Sequence, residues 1–364
     1  MRIQIGVVGG GLVAQAMHLH YLAHMSDRFE LVAVVDPSAT VREALRRRYG
    51  LEAAYGDYRE LLDGTKLDAV LISSPAQTHA EVTLAALDRG LHVFVEKPMC
   101  ITLADADRIV EAQQRASRVV QVGYMKRFDR AWERMRDSLP DSAAQLRYVR
   151  VVVHDPEFGP YFGSDEIVRG ADIPAEVLDE GRAQLRGQVK QAVGADSAAV
   201  VTAVEASFLG SLVHDVNLVH GLLDVLGEPL PGDVIDGDWW NDGLAVSGSV
   251  RLANGARWDS AWIQLLDIYE YREVVSFLFA KELHTLTFPS PWLKQYPTVY
   301  EISRARDVAR AAEVFESYEE SFARELAHFH DCIEGRAECR TPPEQARVDI
   351  DVLTRMFLKA PPRG

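Results

Sequence analysis

Ile3, Ile5 and Val7 alternate as strand residues should and run directly into Gly9-Gly10-Gly11-Leu12-Val13-Ala14, after which a helical stretch continues through His20 and Leu22. A strand, a tight turn and a helix in so short a span restrict the chain to few folds. Gly9 permits the turn, and Gly11 lets the backbone approach a pyrophosphate at the helix N-terminus, where Leu12 and Val13 open the helix. Ala14 is small enough for that helix to lie close to the strand. Alone, this fingerprint is weak. Its weight comes from the next strand, Leu31 to Val35, which ends in Asp36, an acidic residue about 20 positions on that can accept hydrogen bonds from both adenosine ribose hydroxyls. Asp36 also repels a ribose phosphate, and Pro37-Ser38 offers no basic side chain to receive one, so NAD is expected in preference to NADP.

The alternation persists downstream. Leu67 to Ile72 reads as a buried strand, Glu81 to Leu87 as a helix ended by Gly90, and His92 to Val95 as another strand. Thr102 caps a helix with Asp105 three residues later, and Val119 to Val122 forms a last strand. Strands alternating with helices predict a parallel sheet. Ser74-Pro75 ends a strand and His79 opens the following helix, and all three are expected to line the cofactor pocket. Glu96-Lys97-Pro98 closes the strand-like run from Leu91. At the carboxyl end of a strand in a doubly wound sheet, a Lys can polarise a substrate oxygen.

At 364 residues the chain suits two domains, placed at 1–126 and 127–364. Its net charge of -15 argues against nucleic acid, which needs clustered Lys and Arg. No apolar run approaches the roughly 18 residues of a membrane span, and Met1-Arg2 leads into a first strand rather than a signal peptide, so a cytoplasmic location is expected. Three scattered cysteines and three helical histidines, His18, His20 and His24, suggest no metal site. Residues 155 to 181 hold eight acidic side chains against Arg169, either a solvated face or a surface that steers a cationic substrate.

With Ser74-Pro75-Ala76-Gln77-Thr78-His79, Gly90 to Pro98, Gln121 to Asp129, His214-Asp215-Val216-Asn217 and Ser321 to Gly335 added in order, the chain resembles the glucose-fructose oxidoreductase, inositol dehydrogenase and MocA family. The resemblance implies an α/β Rossmann domain followed by an α+β domain with an open, largely antiparallel sheet. It further implies last helices that pack back on the first domain and a homodimer or homotetramer formed through the sheet. Alternating Val149, Val151 and Val153, then Leu244 to Leu252, Arg257 to Leu266 and Glu273 to Ala280, read as its strands. Thr341-Pro342-Pro343-Glu344 reads as a capping box for the last helix.

The resemblance also implies that Lys97 and His214 flank a substrate carbinol, with Glu96 and Lys97 near the cofactor and Tyr124, Arg127 and Asn217 near the substrate. Two departures stand out. The Asp expected four residues before the His is Gly210, and Phe158 to Phe208 is longer than usual, read as helices Ala175 to Val193 and Ser197 to Ala206 that form a lid or an oligomer contact. The expected activity is hydride transfer between NAD and a secondary alcohol of a sugar, cyclitol, aminosugar or glycoside. The alternatives are an NAD-dependent glycoside-cleaving enzyme and a non-catalytic NAD-sensing regulator.

Overall fold

The structure is a computed structural model that describes residues 2–156, 161, 167–306 and 309–361. The chain divides into two compact units: Met1–Gly123 with Ser164–Ala192 and Phe322–Arg347, and Tyr124–Gly163 with Val193–Ser321 and Val348–Gly364.

Among the described residues, the first unit holds a six-stranded parallel sheet built from β1 (Ile3–Val8), β2 (Phe29–Val35), β3 (Ala53–Tyr55), β4 (Ala69–Ile72), β5 (His92–Glu96) and β6 (Val120–Gly123), in the order β3-β2-β1-β4-β5-β6. All four residues of β4 are fully buried, as expected of a strand covered on both faces. The order reverses between β1 and β4, the switch point at which such sheets open a ligand crevice. Local chemistry sets the helix ends. Ser38 caps the helix Ala39–Tyr49 by accepting from Val41 N, and Gly50 ends it in the left-handed region at φ 63°. Thr102 accepts from Asp105 N at 3.1 Å and donates to its carboxylate at 2.8 Å. The three-residue β3 is too short to show an alternation, and the sequence reading passed over it.

The box expected at Thr341 does not form. The last helix begins at Pro343, while the Thr341 hydroxyl donates to Val122 O at 2.8 Å and Val122 N donates to Thr341 O at 3.0 Å. Thr341 therefore satisfies the edge of β6 instead of a helix end. The preceding helix, Ser321–Ile333, sets Phe329 edge-on to Phe94 of β5 at 5.7 Å.

Among the described residues, the second unit holds an eight-stranded sheet of β7 (Leu146–Pro156), β8 (Asp233–Trp240), β9 (Ala245–Arg251), β10 (Arg257–Leu265), β11 (Arg272–Phe279), β12 (Glu282–Phe288), β13 (Thr298–Arg306) and β14 (Ala309–Ser317). The order is β14-β13-β12-β11-β7-β10-β9-β8, antiparallel except where β10 lies parallel to β7. Val149, Val151 and Val153 of β7 are buried, as their alternation predicts.

The helix Ala175–Val193 falls where the sequence places it. The second expected piece does not end at Ala206. Ala198–Val201 passes into a π-helical stretch, Thr202–Leu212, and then into Val213–Val225, one run of 28 residues. It is long and apolar enough to cross a membrane, but more than half of its most apolar 18-residue window is buried within the protein, and its Asp215, Asn217 and His220 find polar partners in their own unit. Those pairings mark a core helix. The acidic stretch likewise is not one face: Asp155 is buried and accepts from Trp262 Nε1 at 3.2 Å, while exposed Asp179 pairs with Arg182. Glu157, Asp165 and Glu166 lie outside the described residues.

Candidate functional site

In the first unit the Gly-rich turn sits at the switch point. Gly9 has φ 97°, and a Cβ there would lie 2.5 Å from Ser74 N, so only glycine fits between β1 and β4. Ser73 Oγ ties the two walls by donating to Gly9 O at 2.9 Å. Around Gly11, by contrast, a Cβ would meet nothing within 4 Å, which leaves its backbone approachable, with Leu12 and Val13 following as the first helical residues. Asp36 closes the other side. Its carboxylate accepts from Gly10 N at 3.0 Å and Ser38 N at 2.9 Å, while burial pushes its pKa up against those two bonds. A cradle that a Cβ would fill, an approachable helix start and an anchored carboxylate are the parts a dinucleotide requires.

Ser74 Oγ and Thr78 Oγ1 are 2.7 Å apart, with Pro75 between them on the β4 wall. His79 does not face the crevice. It is 2% exposed, and its ring nitrogens lie 2.7 Å from Ser74 O and 2.8 Å from Pro98 O. Burial holds its pKa low, so the neutral ring donates to one of these carbonyls at a time and ties the β4 loop to the loop after β5.

Glu96 also turns inward. Its Oε1 lies 2.6 Å from His18 Nε2, and its Oε2 accepts from Lys97 N at 3.1 Å. Glu325 completes a buried group whose ligating atoms lie within 4.8 Å of one another. Burial and then the Glu96 charge push the Glu325 carboxyl well up, so it stays protonated while Glu96 carries the charge beside His18. This cluster fixes the backbone from which Lys97, half-buried at the carboxyl end of β5, projects. Nothing local in the sequence marks this cluster, because its members lie 78 and more residues apart.

In the second unit, Tyr124 and His214 approach edge-on with ring centroids 6.5 Å apart. Arg127 and Asn217, expected near substrate, are interior: 4% and 0% exposed. The Arg127 guanidinium bonds Asn217 O at 3.2 Å and Oδ1 at 3.3 Å and stacks over Trp132 at 4.9 Å. Asn217 Nδ2 donates to Asp349 Oδ2 at 2.7 Å, and His220 Nδ1 lies 2.7 Å from Asp349 Oδ1. These residues pin the helix that carries His214.

Gly210 lies in the π-helical stretch, where a Cβ would come within 2.5 Å of Glu205 O. Glycine at this position is a backbone requirement, and the spacing argument that set residue 210 beside His214 assumed α-helical geometry. Asp215, next in sequence to His214, belongs to a group that the sequence did not disclose. Lys126 Nζ lies 3.3 Å from Asp215 Oδ1 and 2.7 Å from Glu273 Oε1, and the Tyr271 hydroxyl donates to Glu273 Oε2. Burial and the neighbouring Glu273 raise Asp215 well above the usual carboxylate range, so its carboxyl holds a proton beside the Lys126 ammonium. The tandem Lys126-Arg127 was the available signal.

Residues 3–124 match the family described as "Oxidoreductase family, NAD-binding Rossmann fold". The inositol 2-dehydrogenase of Salmonella typhimurium is 36% identical over 139 residues, 38% of this chain and 41% of that protein. The chain thus spans about two fifths of the length of such curated relatives. The myo-inositol 2-dehydrogenase of Thermotoga maritima is 27% identical over 60% of this chain and 70% of its own. Among solved structures, a UDP-N-acetylglucosamine 3-dehydrogenase from Acidithiobacillus ferrooxidans superposes with TM-score 0.71 over 99% of this chain and 98% of that one, at 17% identity, a likeness of fold.

Proposed function

We propose that the chain, whose residues 3–124 match an NAD-binding oxidoreductase family, is a member of the glucose-fructose oxidoreductase, inositol dehydrogenase and MocA family and an NAD-dependent dehydrogenase of secondary alcohols on a cyclitol, sugar, aminosugar or glycoside. The observation that carries this reading is Lys97 at the carboxyl end of β5, in the same unit as a turn and a carboxylate suited to a dinucleotide. The relatives named as inositol dehydrogenases place cyclitols first among substrates to test. A cytoplasmic homo-oligomer joined through the open face of the second sheet is part of the same proposal.

Bound NAD would supply the hydride acceptor. Asp36 takes the adenosine ribose diol, and the backbone from Gly9 to Val13 receives the pyrophosphate. Lys97 offers its ammonium to the oxygen on which negative charge develops, and His214 accepts the hydroxyl proton. Tyr124, packed against the His214 ring, limits its orientation. Absorbance at 340 nm with NAD and a panel of inositols, sugars and aminosugars tests the reading; no net reduction with any of them counts against it.

Two further results are expected. Asp36→Ser should weaken NAD by about tenfold to a hundredfold, the worth of hydrogen bonds to a charged group, and narrow the gap to NADP in calorimetric titrations. A natural protein that binds NADP more tightly would refute that role. His214→Ala should lower turnover by roughly 10²-fold and remove the acidic limb from the pH profile of oxidation. Full turnover with an unchanged profile would put the base elsewhere, with Tyr124 the first candidate.

A further inference from the structure

Residues 167–192 add nothing to the parallel sheet of the first unit, yet they touch three separate parts of its dinucleotide cradle. Val168 engages the Gln15 side chain with both of its backbone polar groups: Val168 N donates to Gln15 Oε1 at 2.9 Å, and Gln15 Nε2 donates to Val168 O at 2.9 Å. Gln15 Nε2 also donates to Gly10 O at 2.7 Å, inside the Gly-rich turn. Four residues on, the Asp172 carboxylate accepts from the Ser38 hydroxyl and from Thr40 N, the latter at 3.0 Å. The approach is close enough that a Cβ on Gly170 would lie 1.9 Å from Ser38 Oγ. The helix Ala175–Val193 then reaches the opposite wall, where Gln184 Nε2 and Gln188 Nε2 donate to Gln77 O at 3.0 and 2.9 Å. One continuous segment thus bridges the turn, the loop after β2 and the loop after β4.

We infer that Asp172 is a specificity-determining residue that excludes a dinucleotide carrying a ribose 2′-phosphate, and that residues 167–192 form a roof over the adenosine half of the site. The inference rests on the reading of the cradle as a dinucleotide site. Ser38 and Thr40 open the helix Ala39–Tyr49 just beyond Asp36, where the ribose hydroxyls are received. Free donors at a helix start would welcome a phosphate. Here a carboxylate from a distant part of the chain already takes them. A 2′-phosphate would have to displace that carboxylate and withstand a second one, Asp36, on the other side of Ser38. A ribose diol faces neither demand, because it donates to Asp36. The bonds from Ser38 and Thr40 hold the Asp172 pKa down to about 2, so the carboxylate stays charged throughout the neutral range.

The test uses the full chain, its tryptophan fluorescence titrated with NAD and separately with NADP, and stopped-flow release of NAD. Asp172 is exposed, so Asp172→Ala and Asp172→Asn leave the core untouched, which far-UV circular dichroism checks. Both variants should improve NADP relative to NAD by at least about tenfold, since both remove the charge. Asp172→Ala, which also frees the roof from Ser38 and Thr40, should release NAD at least about fivefold faster. If either variant keeps the NAD-to-NADP ratio of the natural protein within twofold, Asp172 is not the determinant and the inference falls while the cofactor assignment stands. If the natural protein binds neither dinucleotide, the assignment falls as well.

Discussion

Lys97→Met should reduce turnover by about 10³-fold while leaving NAD affinity within a few fold. Methionine preserves the length and apolar stem of the side chain and removes the ammonium, the group proposed to meet charge as it develops on the substrate oxygen. The adenosine half is held elsewhere, by Asp36 and the turn from Gly9, so binding has little reason to change. Glu96 should remain in place as well, since His18 and the backbone of residue 97 hold it. Steady-state rates beside a calorimetric NAD titration separate the two effects. Comparable turnover in the variant would reduce Glu96-Lys97-Pro98 to a structural turn.

Lys126→Met should produce the largest loss of stability. Lys126 is 7% exposed, and its ammonium serves both Asp215 and Glu273. Removing one partner of a buried ionic group costs about 3–5 kcal/mol, because the remaining charge has neither water nor counter-ion. The pH dependence has a definite sign. Burial and Glu273 raise the Asp215 pKa, whereas Lys126 lowers it. A carboxyl raised on folding contributes stability that is full below its unfolded value and is lost as pH rises through its folded value. Without Lys126 the folded value rises further, so the deficit in urea unfolding should grow between pH 5 and pH 8. Adding Asp215→Asn should recover much of it. A deficit below about 1 kcal/mol, within the range of a surface pair, would show that water reaches these charges.

What the sequence disclosed was local. The turn at Gly9 to Ala14, the acidic end of β2 at Asp36 and the cap at Thr102 each follow from residues close together in the chain, and each is found where the sequence places it. The helix Ala175–Val193 also falls where the sequence reads as helical. What the sequence left hidden shares a cause. The bond from Asn217 to Asp349, 132 residues away, which holds that helix face inward, has no counterpart in the local sequence. The cluster at Lys126 joins residues from three distant segments, and the bond between Ser38 and Asp172 spans 134 positions. Gly210 illustrates a different gap, because π-helical hydrogen bonding shifts the face on which a side chain emerges without any marker in composition.

The parallel pairing of β7 with β10 bears on how the chain acquires its structure. Tyr148 is matched with Arg257, and β11 must still arrive on the other side of β7 before that strand is enclosed. Closing a loop of about 110 residues costs on the order of 2 kcal/mol more conformational entropy than closing a ten-residue hairpin. The strands of the first sheet have all been made by Gly123, each within a short crossover of an earlier one. On the ribosome, the parallel sheet can therefore assemble while β7, a run of alternating valines, still waits for partners more than a hundred residues from synthesis, and that interval is when the nascent chain most needs protection from aggregation.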